Sequence, residues 1–172
     1  MAKDRVINDL EKERAEFAFE CVEEVVEDYK KIKKKENINE LFDKWINYLN
    51  KSEGQIEELR KDKNRSLKQI LDCDNYKSYV KKIPTMIQTN GLSATLAFMY
   101  SSKKEGYKII YNQIDKWLKE KRKLKDSNEE LVRWIIFLES SKYKHITSEV
   151  MALFIWLKRF ADGMIEKEKN SE

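Results

Sequence analysis

A chain of 172 residues with 38% charged side chains, only four glycines and a single proline has too few turn residues for a barrel, a sandwich or a Rossmann sheet, and its composition reads as all-α. The formal charge of +4 is the balance of 35 basic and 31 acidic residues, so partner preference depends on where the positive charges cluster. Cys21 and Cys73 are too few and too far apart for a metal or redox motif, and without a leader pattern they fit a reducing, cytoplasmic setting.

From Arg5 to about Lys35, apolar residues including Leu10, Phe17, Ala18, Cys21, Val25 and Ile32 recur at steps of three and four. This predicts one long amphipathic helix of about 45 Å. Asn37 with Glu40 three residues on reads as a cap. It opens a second helix with the apolar face Leu41, Phe42, Trp45, Ile46 and Leu49, closed around Gly54. In the next pattern, Ile56 and Leu59 are separated from Leu67 and Ile70 by RKDKNR, which predicts a bend with no apolar anchor. Asp74 is expected to cap the stretch 76–82.

Pro84 suits the first turn of a further short helix, with Ile83 extended before it. Gly91 is expected to close that helix in the left-handed conformation, with Leu92 folding back on Ile87 as in a Schellman motif and Ser93 capping the next helix, 94–101. Gly106 then precedes a helix over 107–123 carrying Ile110, Ile114, Trp117 and Leu118 on one side. Ser127 with Glu130 matches a capping box before an apolar helix ending at Leu138. The longest apolar run, LVRWIIFL at 131–138, is broken by Arg133 and falls short of the ~18 residues of a membrane span. Thr147 is expected to cap a last helix, 148–167, apolar nearly all round until Lys158 and Arg159, as suits a helix at the centre of a bundle. The expectation is one compact helical domain over 1–172, a bundle of about six to eight helices with a long N-terminal helix and a solvated tail at 168–172.

Catalytic patterns are sparse. His145 is the single histidine, in an expected loop, so neither Glu-x-x-His pairs nor a two-histidine zinc motif can form. The one enzymatic pattern is acidic: Glu23, Glu24 and Glu27 on the first helix, with Glu40 and Asp43 on the second, could hold Mg²⁺ as in all-α nucleotide pyrophosphohydrolases. Glutamate-rich helices also produce such pairs as a solvated edge. Outside that acidic reading, no residue set implies a cofactor or a small-molecule substrate. A helical adaptor or dimerisation module without RNA binding is a third reading.

Three cationic runs stand out, at 30–35, 60–68 and 116–125. Tyr76 and Tyr79 lie among Lys77, Lys81 and Lys82, and Lys158 with Arg159 mark where the last helix turns polar. Lysine and arginine neutralise phosphates without regard to sequence, and nearby aromatics can stack on bases.

Two segments, KKIPTMIQTNGLSATLAFM at 81–99 and TSEVMALFIWLKRFADGMI at 147–165, together with ERAEFAFECVEEV at 13–25, resemble the small helical subunit of the type III-B CRISPR (Cmr) effector complex. The resemblance implies a non-catalytic structural subunit that stacks along the duplex of guide RNA and target RNA in antiviral defence. Its partners would be other Cmr subunits, further copies of itself and the two RNAs. The 81–92 and WLKRFA blocks would then shape the common core and its basic face, with Lys81, Lys82, Lys158 and Arg159 expected to contact RNA phosphates. The stretch 36–72 has no matching counterpart and reads as an insertion.

Overall fold

The computed structural model describes residues 2–49, 51–125 and 128–166, with side chains from Asn8 onward. Nine helices and a π turn are seen among them, and no strand. They are α1 (Ala2–Lys34), α2 (Ile38–Ile46), α3 (Glu53–Arg60), α4 (Lys63–Ile70), α5 (Cys73–Asn90), α6 (Leu92–Ser101), α7 (Glu105–Lys116), α8 (Leu131–Ile136) and α9 (Ser140–Met164). The all-α reading and the long N-terminal helix are both met. The expected solvated tail and Ser127 of the expected capping box lie outside the described residues.

One apolar cluster runs through all the helices except α3, whose Ile56 and Leu59 pack on its margin. Helix α9 is central: it packs most extensively on α1 and also lies along α5. Its buried face, with Ile146, Val150, Leu153, Phe154, Leu157 and Ala161, explains why the second half of the sequence ends in so apolar a helix. Helix α2 buries Leu41, Phe42, Trp45 and Ile46 as its period requires, and Leu49 follows them into the core. The expected bend falls between α3 and α4, where the Asp62 carboxylate caps α4 by accepting from Arg65 N–H at 3.0 Å.

Most of the departures from expectation occur where burial overrides a local punctuation signal. Pro84 sits inside α5, with Ile83 helical rather than extended. A proline there forfeits one backbone bond, about 3 kcal/mol, but the continued helix buries Val80, Ile83 and Ile87 together, each of which contributes roughly 1.5–3 kcal/mol. Gly54 and Gly106 do not break helices; they lie within α3 and α7. At Gly106 a Cβ would come within 2.9 Å of the Tyr79 ring, which is stacked on Tyr107, so the missing side chain is a matter of close approach. Asp72, not Asp74, caps α5, accepting from Asn75 N–H at 2.9 Å. Asn37 does start α2, through a left-handed backbone (φ 52°) without a side-chain cap bond.

Gly91 ends α5 as expected, at φ +83°, and its N–H reaches Ile87 O at 2.9 Å. Its ψ of 161° sends the chain straight into α6, so no Schellman motif forms there. That motif occurs instead at the end of α1. Lys35, at φ 59°, donates to Ile32 O and Glu36 donates to Lys31 O at 2.9 Å, the paired bonds of the motif. Ser93 does not cap α6. Its N–H donates to the Tyr143 hydroxyl at 3.2 Å, so the cap comes from α9. For the same reason α9 begins at Ser140 rather than Ser148: extending it by two turns brings Tyr143 onto the start of α6. Thr147 is interior and bonds Tyr143 O, and His145 is an exposed helical residue, not part of a loop.

Candidate nucleic-acid interface

Helices α5 and α9 run antiparallel, since Lys77 near the start of α5 meets Ile165 after α9 and Ser93 beyond α5 meets Tyr143 near the start of α9. Lys81 and Asp162 face each other across this seam, Nζ to Oδ1 2.5 Å, both about half exposed. Lys77 lies deeper. Its ammonium donates to Ile165 O at 2.7 Å and stands 3.6 Å from the same carboxylate, so it closes the C-terminal end of α9. The hydrogen bond from Lys81 holds the Asp162 carboxyl below its ordinary range.

Lys158 is one turn before Asp162, exposed, and forms no ion pair among the described residues. Lys81 and Lys158 are therefore brought to one seam. Arg159 is turned toward α1: its guanidinium lies 5.1 Å over the Trp156 ring, Trp156 Nε1 donates to Glu11 at 3.0 Å, and Phe160 meets Phe19 of α1 edge-on. Lys82 is exposed, but one residue around a helix is a 100° rotation, which carries it to the flank of α5 away from α9. The four candidate phosphate contacts thus divide into a pair on the seam, one cation on an aromatic shelf, and one on the opposite flank.

Much of the other basic charge has local work. Lys30 pairs with Glu27 at 2.7 Å and Lys31 with Asp28 at 3.0 Å, at the helix end where cations offset the dipole. Arg60 and Lys63 lie over the Phe42 ring, at 5.7 and 5.5 Å, and help to leave that ring fully buried. Lys125 is buried against Asp115 at 2.7 Å.

The acidic alternative meets a cation already between the helices. Lys44 of α2 pairs with Glu24 at 2.7 Å and with Asp28 at 2.5 Å, while Glu23, Glu40 and Asp43 are exposed and Glu27 is bonded to Lys30. Among the described residues no three His, Cys, Asp or Glu side chains gather as metal ligands do.

Two polar centres were missed. Asp28, 3% exposed, accepts from Trp45 Nε1 at 3.0 Å as well as from both lysines. Glu149, also 3% exposed, accepts from Arg14 Nη2 at 2.8 Å and Trp117 Nε1 at 3.1 Å, with Arg122 Nε 3.3 Å away. A π turn at Trp117–Lys121 follows α7 and leads into Arg122. These centres join α1 to α2 and α1 to α9, and they belong to the scaffold.

The family model for the CRISPR-associated protein Cas_Cmr5 matches residues 54–164. The chain belongs to the Cmr5 family. The match runs from α3 to the end of α9 and contains both sides of the Lys81–Asp162 seam. The Cmr subunit Cmr5 of Thermus thermophilus is 33% identical over 94 residues, which is 54% of this chain and 76% of that protein. A crystal structure of a Cmr5 family protein from the same organism matches with a TM-score of 0.55 and 23% identity, over 90% of this chain and 99% of that one. That second likeness concerns the fold.

Proposed function

We propose that this chain is a non-catalytic structural subunit of a type III-B Cmr ribonucleoprotein complex in the cytoplasm. It acts as one helical domain that stacks with other Cmr subunits and further copies of itself along the duplex of guide RNA and target RNA. Its contribution is surface: helix faces for neighbours, and Lys81, Lys158 and Arg159 for RNA phosphates, Lys82 being the one of the four expected contacts that the fold turns to the other flank of α5. The observation that carries this reading is the Cmr5 family match over 54–164; the Thermus relative, a Cmr subunit by name, supports the assembly. Phosphate neutralisation by lysine and arginine needs no base readout, which suits a subunit that must accept any guide sequence.

Reconstitution tests it. The remaining Cmr subunits of the same organism, a guide RNA and this chain are combined, and the particle is weighed by native mass spectrometry with and without a complementary RNA. More than one copy of the chain is expected in a guide-bound particle. An assembly that forms fully while excluding the chain overturns the reading. Hydrolysis of nucleoside triphosphates by the pure chain with Mg²⁺, abolished by Glu24→Gln, would restore the acidic alternative.

A further inference from the structure

Charge is segregated in this molecule more sharply than the net +4 suggests. From Asn75 to the end of α5 there are three lysines and no acid, and α9 carries three lysines and an arginine against two carboxylates. One of those, Glu149, is buried toward α1. Asp162 is the exposed carboxylate that faces Lys81, with Asp74 and Glu166 also exposed at the same end of the two helices, and it stands in the last turn of α9, the helix end where the dipole disfavours negative charge. Helix stability does not explain an acid at that position. Its partner does: the carboxylate sits 2.5 Å from Lys81, holding an ammonium where an incoming anion would meet it.

The seam continues from Lys158 toward the start of α9. Lys144, Ser148, Ile155, Lys158 and Asp162 recur at steps of four, seven, three and four, so they share one face of α9. Lys144 and Lys158 are about 21 Å apart along the axis, and Lys144, like Ser148, is exposed. On α5 the neighbouring row continues from Lys81 to Thr85 and Gln88, both uncharged. From the Lys81–Asp162 pair to the start of α9 the result is a track of cations with Ser148, Thr85, Gln88 and the exposed Ile155 between them, while Asp74 and Glu166 lie beyond its other end.

We propose that Asp162 is a built-in counter-anion of an RNA track along the α5/α9 seam. It holds Lys81 when no RNA is bound and yields it to a backbone phosphate, with Lys158 and Lys144 as further phosphate contacts and Lys82 off the track. This rests on the reading of the chain as an RNA-contacting subunit and adds a regulating residue to it. Lys77 keeps its bonds to Ile165 O throughout, so the exchange frees one lysine.

The test is binding of a 20-base-pair RNA duplex to the full chain as a function of salt. Asp162→Asn is expected to tighten binding about 3- to 10-fold at low salt, because Lys81 no longer has to leave a carboxylate before it meets a phosphate. Lys144→Gln is expected to weaken binding several-fold, and Lys82→Gln to leave it unchanged. In the Lys81→Gln background the gain from Asp162→Asn should vanish, because no lysine is left to release. Asp162→Ser repeats the measurement with a different neutral side chain, and thermal melts check that each variant folds. Affinity unchanged or reduced in both Asp162 variants overturns the proposal, as does a loss at Lys82 equal to that at Lys144. So does the absence of duplex binding by wild type and both variants. The subunit reading falls separately, by exclusion of the chain from the reconstituted particle.

Discussion

The two sides of α9 are tied down by ionic contacts of the same chemistry and opposite character. Toward α1, the Glu149 carboxylate faces Arg14 with side chains 2% and 11% exposed, and Trp117 and Arg122 complete its surroundings. Toward α5, Asp162 faces Lys81 with both about half exposed. A buried carboxylate must keep its partners, because removing one leaves the rest uncompensated in a medium that solvates charge poorly. An exposed one trades its partner for water or another anion at little cost. The first contact can therefore specify how α1 meets α9, and the second remains free to exchange.

The contrast predicts its own largest effect. Glu149→Gln leaves Arg14 and Arg122 facing a neutral amide and is expected to cost about 3–5 kcal/mol, which at this chain length lowers Tm by roughly 6–20 °C, read by circular dichroism. The pH dependence has a definite sign. Burial pushes the Glu149 carboxyl up, but the hydrogen bond and charge of Arg14, the charge of Arg122 and the Trp117 N–H outweigh it, so the carboxyl lies below its ordinary 4.5. A depressed carboxyl stabilises the fold above its unfolded value, and that contribution is lost as pH falls from 4.5 through the folded value. Wild-type Tm should drop over that window. The Gln variant should lack that part of the decline and keep the part due to Asp28, which Lys44, Lys31 and Trp45 likewise hold low against its burial.

Next in size is the effect of removing charge from the exposed side. Neutralising Lys81, Lys158 and Arg159 together is expected to weaken RNA-duplex binding more than about 10-fold at low salt and to flatten its salt slope. Melting should hardly change. Tyr143→Phe sharpens the comparison from the same face of the molecule. The hydroxyl that accepts from Ser93 N–H is lost from the start of α6, and loss of a helix cap costs roughly 0.5–2 kcal/mol. A neutral hydrogen bond on this side is thus expected to matter more to stability than the ion pair beside it.

These two sides were unequally legible in the sequence. Periodicity alone marks α1, α2 and the apolar half of α9, because burying a stripe every 3.6 residues leaves few alternatives. Glu149 and Asp28 leave a readable signal as well. Glu149 interrupts the stripe of Ile146, Val150 and Leu153, and Asp28 lies between Val25 and Ile32 on theirs, so each is an acid where an aliphatic residue is due. What the pattern does not carry is which helices meet. Lys81 and Lys158 come to one seam only because α5 and α9 pair antiparallel, through contacts as distant in sequence as Lys81 with Asp162. Punctuation misled for a related reason: Pro84 and Thr147 are strong local signals, and the burial of Ile83 and the docking of Tyr143 on α6 are long-range gains that outweigh them.

The smallest effect is the one that decides whether the comparison is sound. Lys81→Gln and Asp162→Asn should each move Tm by no more than about 2 °C, since an exposed pair contributes little after screening and side-chain ordering. Asp162→Asn should if anything raise Tm, because it removes a negative charge from the C-terminal turn of α9, while Lys77 continues to donate to Ile165 O. If either variant instead lost as much stability as Glu149→Gln, Lys81–Asp162 would be a clamp of the α5/α9 pair, and a carboxylate needed for the fold could not be surrendered to a phosphate.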